Sequence, residues 1–197
     1  GKTSDKGYIF WNNKKSRVKN VIKKGKTIKH IIDGEKPEIG TKIHAKIDWD
    51  ARYSHMLMHS AQHILSGIIF DLYNARTVGN QIHADYSRVD FKPAIFTDKD
   101  LEKIKSKFNE IVSKEKEISI YEEDRGSLEK RVDIQRANLD LLPKFIKKLR
   151  IVEIKDFDLC PCAGTHVKNT IEIPEIDKIK RETKGKNIDR IIYSLKK

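Results

Sequence analysis

Three histidines and one cysteine fall into two short pairs that together have the composition of a metal site. The first pair is His59 and His63 in His-Ser-Ala-Gln-His, and the second is Cys162 and His166 in Cys-Ala-Gly-Thr-His. Residues four apart lie one turn apart on one face of a helix, so both imidazoles of the first pair can reach a single ion. Three nitrogen donors and one sulfur donor favour tetrahedral zinc over a hard cation. The two pairs therefore predict a zinc site made of His59, His63, Cys162 and His166.

The residue after His59 limits what such a site can do. Zinc proteases with the pattern H-E-x-x-H use the Glu between their histidines as a general base. This chain has Ser60 at that position, so peptide hydrolysis by that mechanism is not expected. The chain has only seven His and two Cys, which strengthens the assignment because four of the nine fall in the two pairs. The alternative is a buried cysteine among hydrogen-bonded core histidines.

The charge of the chain indicates an anionic partner. Among 197 residues there are 41 Lys and Arg against 29 Asp and Glu, a formal net charge of +12. Residues 6–32 contain no acidic residue, and charge of one sign over such a length favours a surface that faces phosphates. A solvated Lys- and Glu-rich surface is the alternative. The residues predicted to face the phosphates of such a partner, for example a nucleic acid, are Lys14, Lys15, Arg17, Lys19, Lys23, Lys24, Lys180, Arg181, Lys184 and Lys186.

The sequence also bears on location. It has no apolar run long enough to span a bilayer and no signal-peptide pattern. Cys160 and Cys162, separated by one proline, are poorly placed to bridge each other, and the predicted site needs a free thiolate. We therefore expect a protein of the reducing cytoplasm without a membrane partner.

The first fifty residues have the pattern of short strands separated by turns. Lys24-Gly25-Lys26 and Asp33-Gly34 are turn sequences. Several short strands with such turns predict a small β-barrel over residues 1–50. The chain begins at Gly1 rather than Met, and a barrel that began there would be incomplete, so we expect a further segment before it. The predicted strands are 7–11, 17–22, 27–32 and 41–47.

From Tyr53 the spacing of apolar residues becomes helical. One helix is predicted to end at Asn74, and a second to begin at Thr97 or Asp98 and to run to about Lys116. A short helix is expected within residues 124–138. Two main helices on an antiparallel sheet make an α+β domain, which we place at residues 51–197. The predicted strands of this domain are 77–83, 87–91, 117–122, 149–154, 170–173, 176–182 and 189–195.

The segments that begin at His59 and at Cys162 resemble the zinc motifs of free-standing alanyl-tRNA editing proteins, the AlaX type, which are related to the editing domain of alanyl-tRNA synthetase. The resemblance continues through segments 47–56, 77–90 and 184–193, and residues 1–7 resemble the end of the glycine-rich motif of the longer members. It covers nearly the whole chain. Cys160 is an additional thiol that could compete with Cys162 for the ion; the spacing to His166 favours Cys162.

The resemblance implies a zinc-dependent hydrolase that cleaves the ester between serine or glycine and the tRNA for alanine. The ion could polarise the carbonyl, activate water or bind the substrate's amino group, and the sequence leaves these open. Gln81 falls where the family has a polar residue near the site, so we nominate it to orient substrate or water. The alternative is that Gln81 is only a surface residue of a hairpin, without a role in the site. Thr165 either hydrogen-bonds in the pocket or caps the turn.

Two other hypotheses remain at this point. One is an editing fragment derived from a synthetase or a threonyl-type editing domain, although the sequence carries no aminoacylation motif. The other is a tRNA-binding protein that uses zinc only for stability. A closed site with four protein ligands would favour the latter. The oligomeric state is left open.

Overall fold

The computed structural model describes residues 3–25 and 27–197. Gly1 and Lys2 of the expected glycine-rich motif, and Lys26 of the first predicted turn, lie outside them. Three antiparallel sheets and three α-helices make up this part of the chain. The strands are β1 (Gly7–Trp11), β2 (Lys14–Lys24), β3 (Thr27–Asp33), β4 (His44–Ile47), β5 (Arg76–Ile82), β6 (Ser87–Lys92), β7 (Ile118–Asp124), β8 (Lys148–Ile154), β9 (Asp158–Pro161), β10 (Ile176–Gly185) and β11 (Ile188–Leu195). The helices are α1 (Trp49–Tyr73), α2 (Asp98–Val112) and α3 (Arg125–Leu128).

The N-terminal sheet has the strand order β3-β2-β1-β4. Its β1–β2 hairpin turns at Asn12 and Asn13, both with positive φ, as the tight two-residue hairpin turns require. Alternation along the strands buries Ile9, Trp11 and Val18 on one face. Among the described residues, no pairing joins β3 to β4, so the sheet is open and the predicted barrel is not confirmed.

Helix α1 is the element that positions the predicted histidine pair. It begins after Asp48, whose carboxylate accepts a hydrogen bond from the backbone N–H of Ala51 at 3.2 Å, a cap that stabilises a helix by about 1 kcal/mol. It ends at Asn74, which adopts the left-handed conformation, so the predicted end is confirmed. Its apolar face, including Ala61, Leu65 and Ile69, belongs to the main core.

The second sheet, in the order β10-β11-β6-β5, packs against α1 and α2. Helix α2 begins with a capping box between Thr97 and Asp100. Its buried residues are Leu101, Ile104, Phe108, Ile111 and Val112. Tyr193 of β11 donates a hydrogen bond from its hydroxyl to the backbone oxygen of Met58 at 2.8 Å, which ties the sheet to α1 beside His59. The expected arrangement of helices on an antiparallel sheet is confirmed in this region.

The third sheet, in the order β7-β8-β9, has its own small core around Leu128, Leu139 and Ile151. The short strand β9 is absent from the sequence prediction. Its pairing with β8 places Cys160 opposite Val152 and leads the chain into the Cys162–His166 segment. Strand β9 therefore brings the second half of the predicted site to α1.

The structure differs from the prediction at residues 170–173 and at the end of α2. Residues 170–173 form a 3₁₀ turn, Thr170–Glu172, rather than a strand, because Asn169 and Glu172 make reciprocal capping hydrogen bonds there. Helix α2 ends at Val112 rather than near Lys116, and Glu115 has a positive φ of 51°, which a helix does not allow. Within the described residues, no helix is both long enough and apolar enough to cross a bilayer.

Candidate metal centre

His59 and His63 lie one turn apart on the buried face of α1. Their rings are 5.1 Å apart between centroids and nearly perpendicular. The same face carries Gln62 and Ser66, at the spacing of residues that share one side of a helix. The helix therefore presents the two imidazoles and two polar side chains together.

The turn after β9 brings Cys162 and His166 to this face. Two hydrogen bonds to Arg150 hold the backbone of Cys162. The N–H of Cys162 donates to the backbone oxygen of Arg150 at 3.0 Å, and the guanidinium of Arg150 donates to the backbone oxygen of Cys162 at 2.5 Å. Gly164 passes so close to α1 that a Cβ there would lie 2.5 Å from Nδ1 of His59. Only glycine fits at position 164 without a shift of His59.

The four predicted donors converge. Sγ of Cys162 is 3.6 Å from Nε2 of His59 and 3.4 Å from Nε2 of His166. One donor atom from each of His59, His63, Cys162 and His166 lies within 4.8 Å of the other three. The thiol also accepts a hydrogen bond from the N–H of Gly164 at 3.3 Å, which favours the thiolate that metal binding requires. This group could hold a metal ion.

Each of the three histidines also has a partner for its Nδ1 atom. His59 Nδ1 lies 3.3 Å from the backbone oxygen of Thr165, and His166 Nδ1 lies 3.1 Å from Oγ of Ser60. His63 Nδ1 lies 3.3 Å from Sγ of Cys160. Partners of this kind fix the ring orientation of metal-binding histidines and leave Nε2 to face the ion. The pattern favours Cys162 as the sulfur ligand, with Cys160 behind His63.

Burial sets the protonation of these groups. Burial, and then the neighbouring charge of His59, lowers the pKa of His63 to about 3, so the ring is the neutral imidazole that binds metals. Burial, and then the nearby Asp158, raises the pKa of the Cys160 thiol well above its ordinary value. The pKa of Asp158 is raised to about 6 by burial, against the opposing effect of Arg136. Cys160 is therefore a thiol at neutral pH.

A second group of possible donors adjoins the first and shares His63 with it. It consists of His63, Asp158 and Cys160. Nε of Arg136 lies 3.2 Å from Oδ1 of Asp158, and Arg136 also pairs with Asp71. Because a guanidinium already neutralises Asp158, this group is the poorer place for a cation.

The metal centre opens onto a cavity of about 320 Å³ with polar side chains on its wall. Nε2 of Gln62 donates to Oγ of Ser66 at 3.1 Å, and Ser66 is 2.8 Å from Oγ1 of Thr77. Nδ2 of Asn80 donates to Oε1 of Gln62 at 3.1 Å. The sequence prediction missed these four residues, although Gln62 and Ser66 follow His59 at helical spacing.

The two residues nominated from the resemblance lie in different places. The side chain of Gln81 accepts a hydrogen bond from Arg88, its cross-strand neighbour on β6. Gln81 is not among the described residues that line the cavity beside the metal centre. Asn80, the residue before it, does. Thr165 lies in the metal-binding turn, and its carbonyl faces His59.

The basic residues predicted to contact RNA are split between two sheets. Those at the N-terminus lie on β2, and those from Lys180 onward lie on β10 and its turn to β11. Two of these lysines pair with carboxylates that follow residues 6–32 in the chain. Lys14 lies 2.5 Å from Glu35, and Lys19 lies 2.7 Å from Asp33. Arg181 and Lys180 each have a longer contact of 3.8 Å with an acidic residue.

Known proteins similar to this chain are concerned with alanyl-tRNA. Residues 149–192 match the family model described as threonyl and alanyl tRNA synthetase second additional domain. The alanyl-tRNA editing protein AlaX-M of Methanosarcina barkeri is 35% identical over 172 residues, which is 85% of this chain and 71% of that protein.

Two longer proteins are also similar. The alanyl-tRNA editing protein AlaX-L of Pyrococcus horikoshii is 34% identical over 196 residues, 98% of this chain, and the chain spans about half of its length, 47%. The alanine–tRNA ligase of Thermococcus kodakarensis is 30% identical over 200 residues, which is 98% of this chain and 21% of the ligase.

Proposed function

Because the chain belongs to the AlaX-type alanyl-tRNA editing proteins, we propose that it is a hydrolase that acts in trans on mischarged tRNA for alanine. The bond cleaved is the ester between the tRNA and serine, with glycine as a second substrate. The observation that carries the proposal is the convergence of His59, His63, Cys162 and His166 beside a cavity whose wall includes the first three of them. A buried donor group with access to a cavity fits catalysis better than structure alone.

Zinc is the proposed ion. A tetrahedron with zinc–nitrogen and zinc–sulfur bonds of about 2.0 and 2.3 Å has nitrogen–sulfur edges of about 3.5 Å, close to the two observed distances of 3.6 and 3.4 Å. The neutral imidazole of His63 and the hydrogen bond from the N–H of Gly164 to the sulfur of Cys162 also suit that ion. Zinc bound there would supply a Lewis acid next to the ester, which is easier to hydrolyse than an amide.

The chain's own residues would select the amino acid. A site that hydrogen-bonds a hydroxyl rejects a substrate that lacks it by ~10⁴-fold in favourable cases. Glycine, which has no hydroxyl, would be accepted only by steric tolerance. The linked side chains of Gln62, Ser66, Thr77 and Asn80 offer donors and acceptors for a serine hydroxyl. Gln81 and Thr165 remain proposed site residues. For Gln81 the role would require its side chain to leave Arg88.

The partner in this proposal is tRNA for alanine, bound through basic residues of β2 and of the β10–β11 hairpin. We propose that residues 1–50 serve mainly RNA binding and that residues 51–197 form the editing domain. The proposed location of the protein is the cytoplasm. The excess of Lys and Arg over Asp and Glu supports a polyanionic partner.

One observation favours a second candidate function. All four donors come from the protein, as in structural zinc sites. The alternative is therefore a zinc-stabilised tRNA-binding protein, or an editing fragment related to the synthetase, without catalysis of its own.

The test is hydrolysis of tRNA for alanine charged with serine, glycine or alanine. We expect seryl-tRNA to be deacylated much faster than alanyl-tRNA, and a chelator to abolish the difference. If the metal-loaded protein binds tRNA but hydrolyses none of the three above the buffer rate, the non-catalytic alternative is correct.

A further inference from the structure

One face of the N-terminal sheet carries aromatic side chains between basic ones. The face opposite Ile9 and Trp11 has Tyr8 and Phe10 on the inner strand β1. Tyr8 lies opposite Arg17 of β2 and Lys46 of β4, and Phe10 lies opposite Lys15 and His44. The two aromatic rings are therefore flanked on both sides by residues that can bind anions. We call Tyr8, Phe10, Lys15, Arg17, His44 and Lys46 the aromatic platform.

The platform is accessible and already holds a cation. Tyr8 is 37% exposed, and its ring centroid is 6.4 Å from that of Phe10. Nζ of Lys15 lies 3.9 Å from the centroid of Tyr8 and 5.8 Å from that of Phe10. These ring faces thus accept a flat or cationic group without rearrangement of the backbone.

A groove of about 460 Å³ continues from the platform to Trp49, the first residue of α1, which is 57% exposed. The acidic residues beside it are Asp48 and Asp50. Both lie at the N-terminus of α1, where their charge complements the helix dipole, and Asp48 is the cap. They therefore have a role in the helix. On the other side of the platform, Asp33 of β3 lies opposite Arg17 and pairs with Lys19 at 2.7 Å, so one carboxylate adjoins the outer edge of the platform.

We propose that the aromatic platform is a binding site for an unpaired nucleotide of an RNA strand. The base would stack on Tyr8 or Phe10 and displace the Lys15 ammonium, which would then pair with a phosphate together with Arg17 and Lys46. Aromatic rings within a basic groove bind single strands in this way, because every base has a π-face that can stack. A purely double-stranded partner would use the cations and leave the rings unused. The inference rests on the proposed function only in taking RNA as the partner.

The probe is a six-nucleotide single-stranded RNA of mixed sequence, with a blunt RNA duplex of the same composition as the comparison. We expect the single strand to bind more tightly. Tyr8→Leu should weaken its binding about tenfold, within the range for loss of one stacked base, with the dependence on salt unchanged. Arg17→Gln should instead lower the log–log salt slope by about 0.7.

Two tryptophans allow the contact to be observed directly. Trp11 is 7% exposed and lies on the opposite face, so a fluorescence change on binding reports Trp49. The control Phe145→Leu removes an aromatic ring that is 80% exposed in the segment before β8, and it should bind the single strand as the wild type does.

Three outcomes separate this inference from the proposed function. Unchanged single-strand binding in Tyr8→Leu and in Phe10→Leu would overturn the platform, even if the wild type deacylates seryl-tRNA. Equal affinity for strand and duplex would also overturn it. Single-strand binding that depends on Tyr8, in a protein that deacylates nothing, would support the platform and reject the hydrolase.

Discussion

The metal centre and the N-terminal sheet hold their polar side chains in opposite ways. At the centre, three buried histidines and the half-buried Cys162 come together from segments about a hundred positions apart in the chain. Each histidine has a second contact that fixes it. In the N-terminal sheet, β2 and β3 are mostly exposed over a core of only Ile9, Trp11, Val18 and two partly buried neighbours. A site built in the first way depends on each member, whereas a surface built in the second way distributes its contribution over many residues.

The largest effect is expected from loss of one ligand. His63→Ala removes a buried donor that no neighbour on α1 can replace, so we expect a fall in metal affinity of at least about 10³-fold, together with loss of deacylation. The measurement is metal content after dialysis against a weak chelator. His30→Ala, on the exposed strand β3, is the matched control and should keep one equivalent of metal. Full metal content in both variants would refute the ligand assignment.

The next effect distinguishes neighbouring residues of β5. If Gln81 orients substrate or water, Gln81→Ala should slow seryl-tRNA deacylation by roughly 10²-fold, with metal content and tRNA affinity unchanged. If the cavity wall performs that role, Asn80→Ala should give the same reduction in rate and Gln81→Ala should resemble the wild type. A single-turnover rate for each variant decides between them.

A smaller effect is expected behind His63. Cys160→Ala removes the partner of Nδ1, so metal affinity should fall by about 10-fold, and Cys160→Ser should restore part of it because a hydroxyl can accept the same hydrogen bond. In the cobalt-substituted protein, the sulfur-to-metal absorption band should persist in Cys160→Ala and vanish in Cys162→Ala. The reverse result would make Cys160 the ligand.

The smallest effects are expected on the basic surface. Lys184→Gln with Lys186→Gln should lower the log–log salt slope of tRNA binding by about one unit for each phosphate that the variant no longer binds. Lys14→Gln with Lys19→Gln should change the slope less, because both lysines already pair with carboxylates. Identical slopes in the wild type and both double variants would mean that these lysines are only solvated.

The two regions also differ in how far the sequence predicts them. The ligands could be found from spacing, because His and Cys are scarce and two tight pairs stand out among nine residues. Lysine is abundant, so its positions in the sequence do not show which basic residues lie beside aromatic rings. In the structure, Lys15 and Arg17 of β2 lie opposite Phe10 and Tyr8. Lys14 and Lys19 instead pair with the carboxylates of Glu35 and Asp33. That information lies in the strand register.

Other features depended on contacts between distant segments. Helix α1 was predictable from its apolar period and from Asn74, which are local signals. Strand β9 has four residues, including Cys160 and Pro161, and is a strand because β8 pairs with it. The segment 170–173 has β-branched residues typical of a strand, but the capping hydrogen bonds of Asn169 and Glu172 hold it in a 3₁₀ turn.

The central claim is that the centre of His59, His63, Cys162 and His166 both holds the ion and performs the hydrolysis. The most direct measurement is to strip the metal, add back zinc in fractions of an equivalent, and follow bound zinc and seryl-tRNA deacylation in the same samples. We predict that activity rises in proportion to occupancy, reaches its maximum at one equivalent, and is not restored in Cys162→Ala. Full deacylation by the metal-free protein, or zinc bound at one equivalent without any deacylation, would contradict the account.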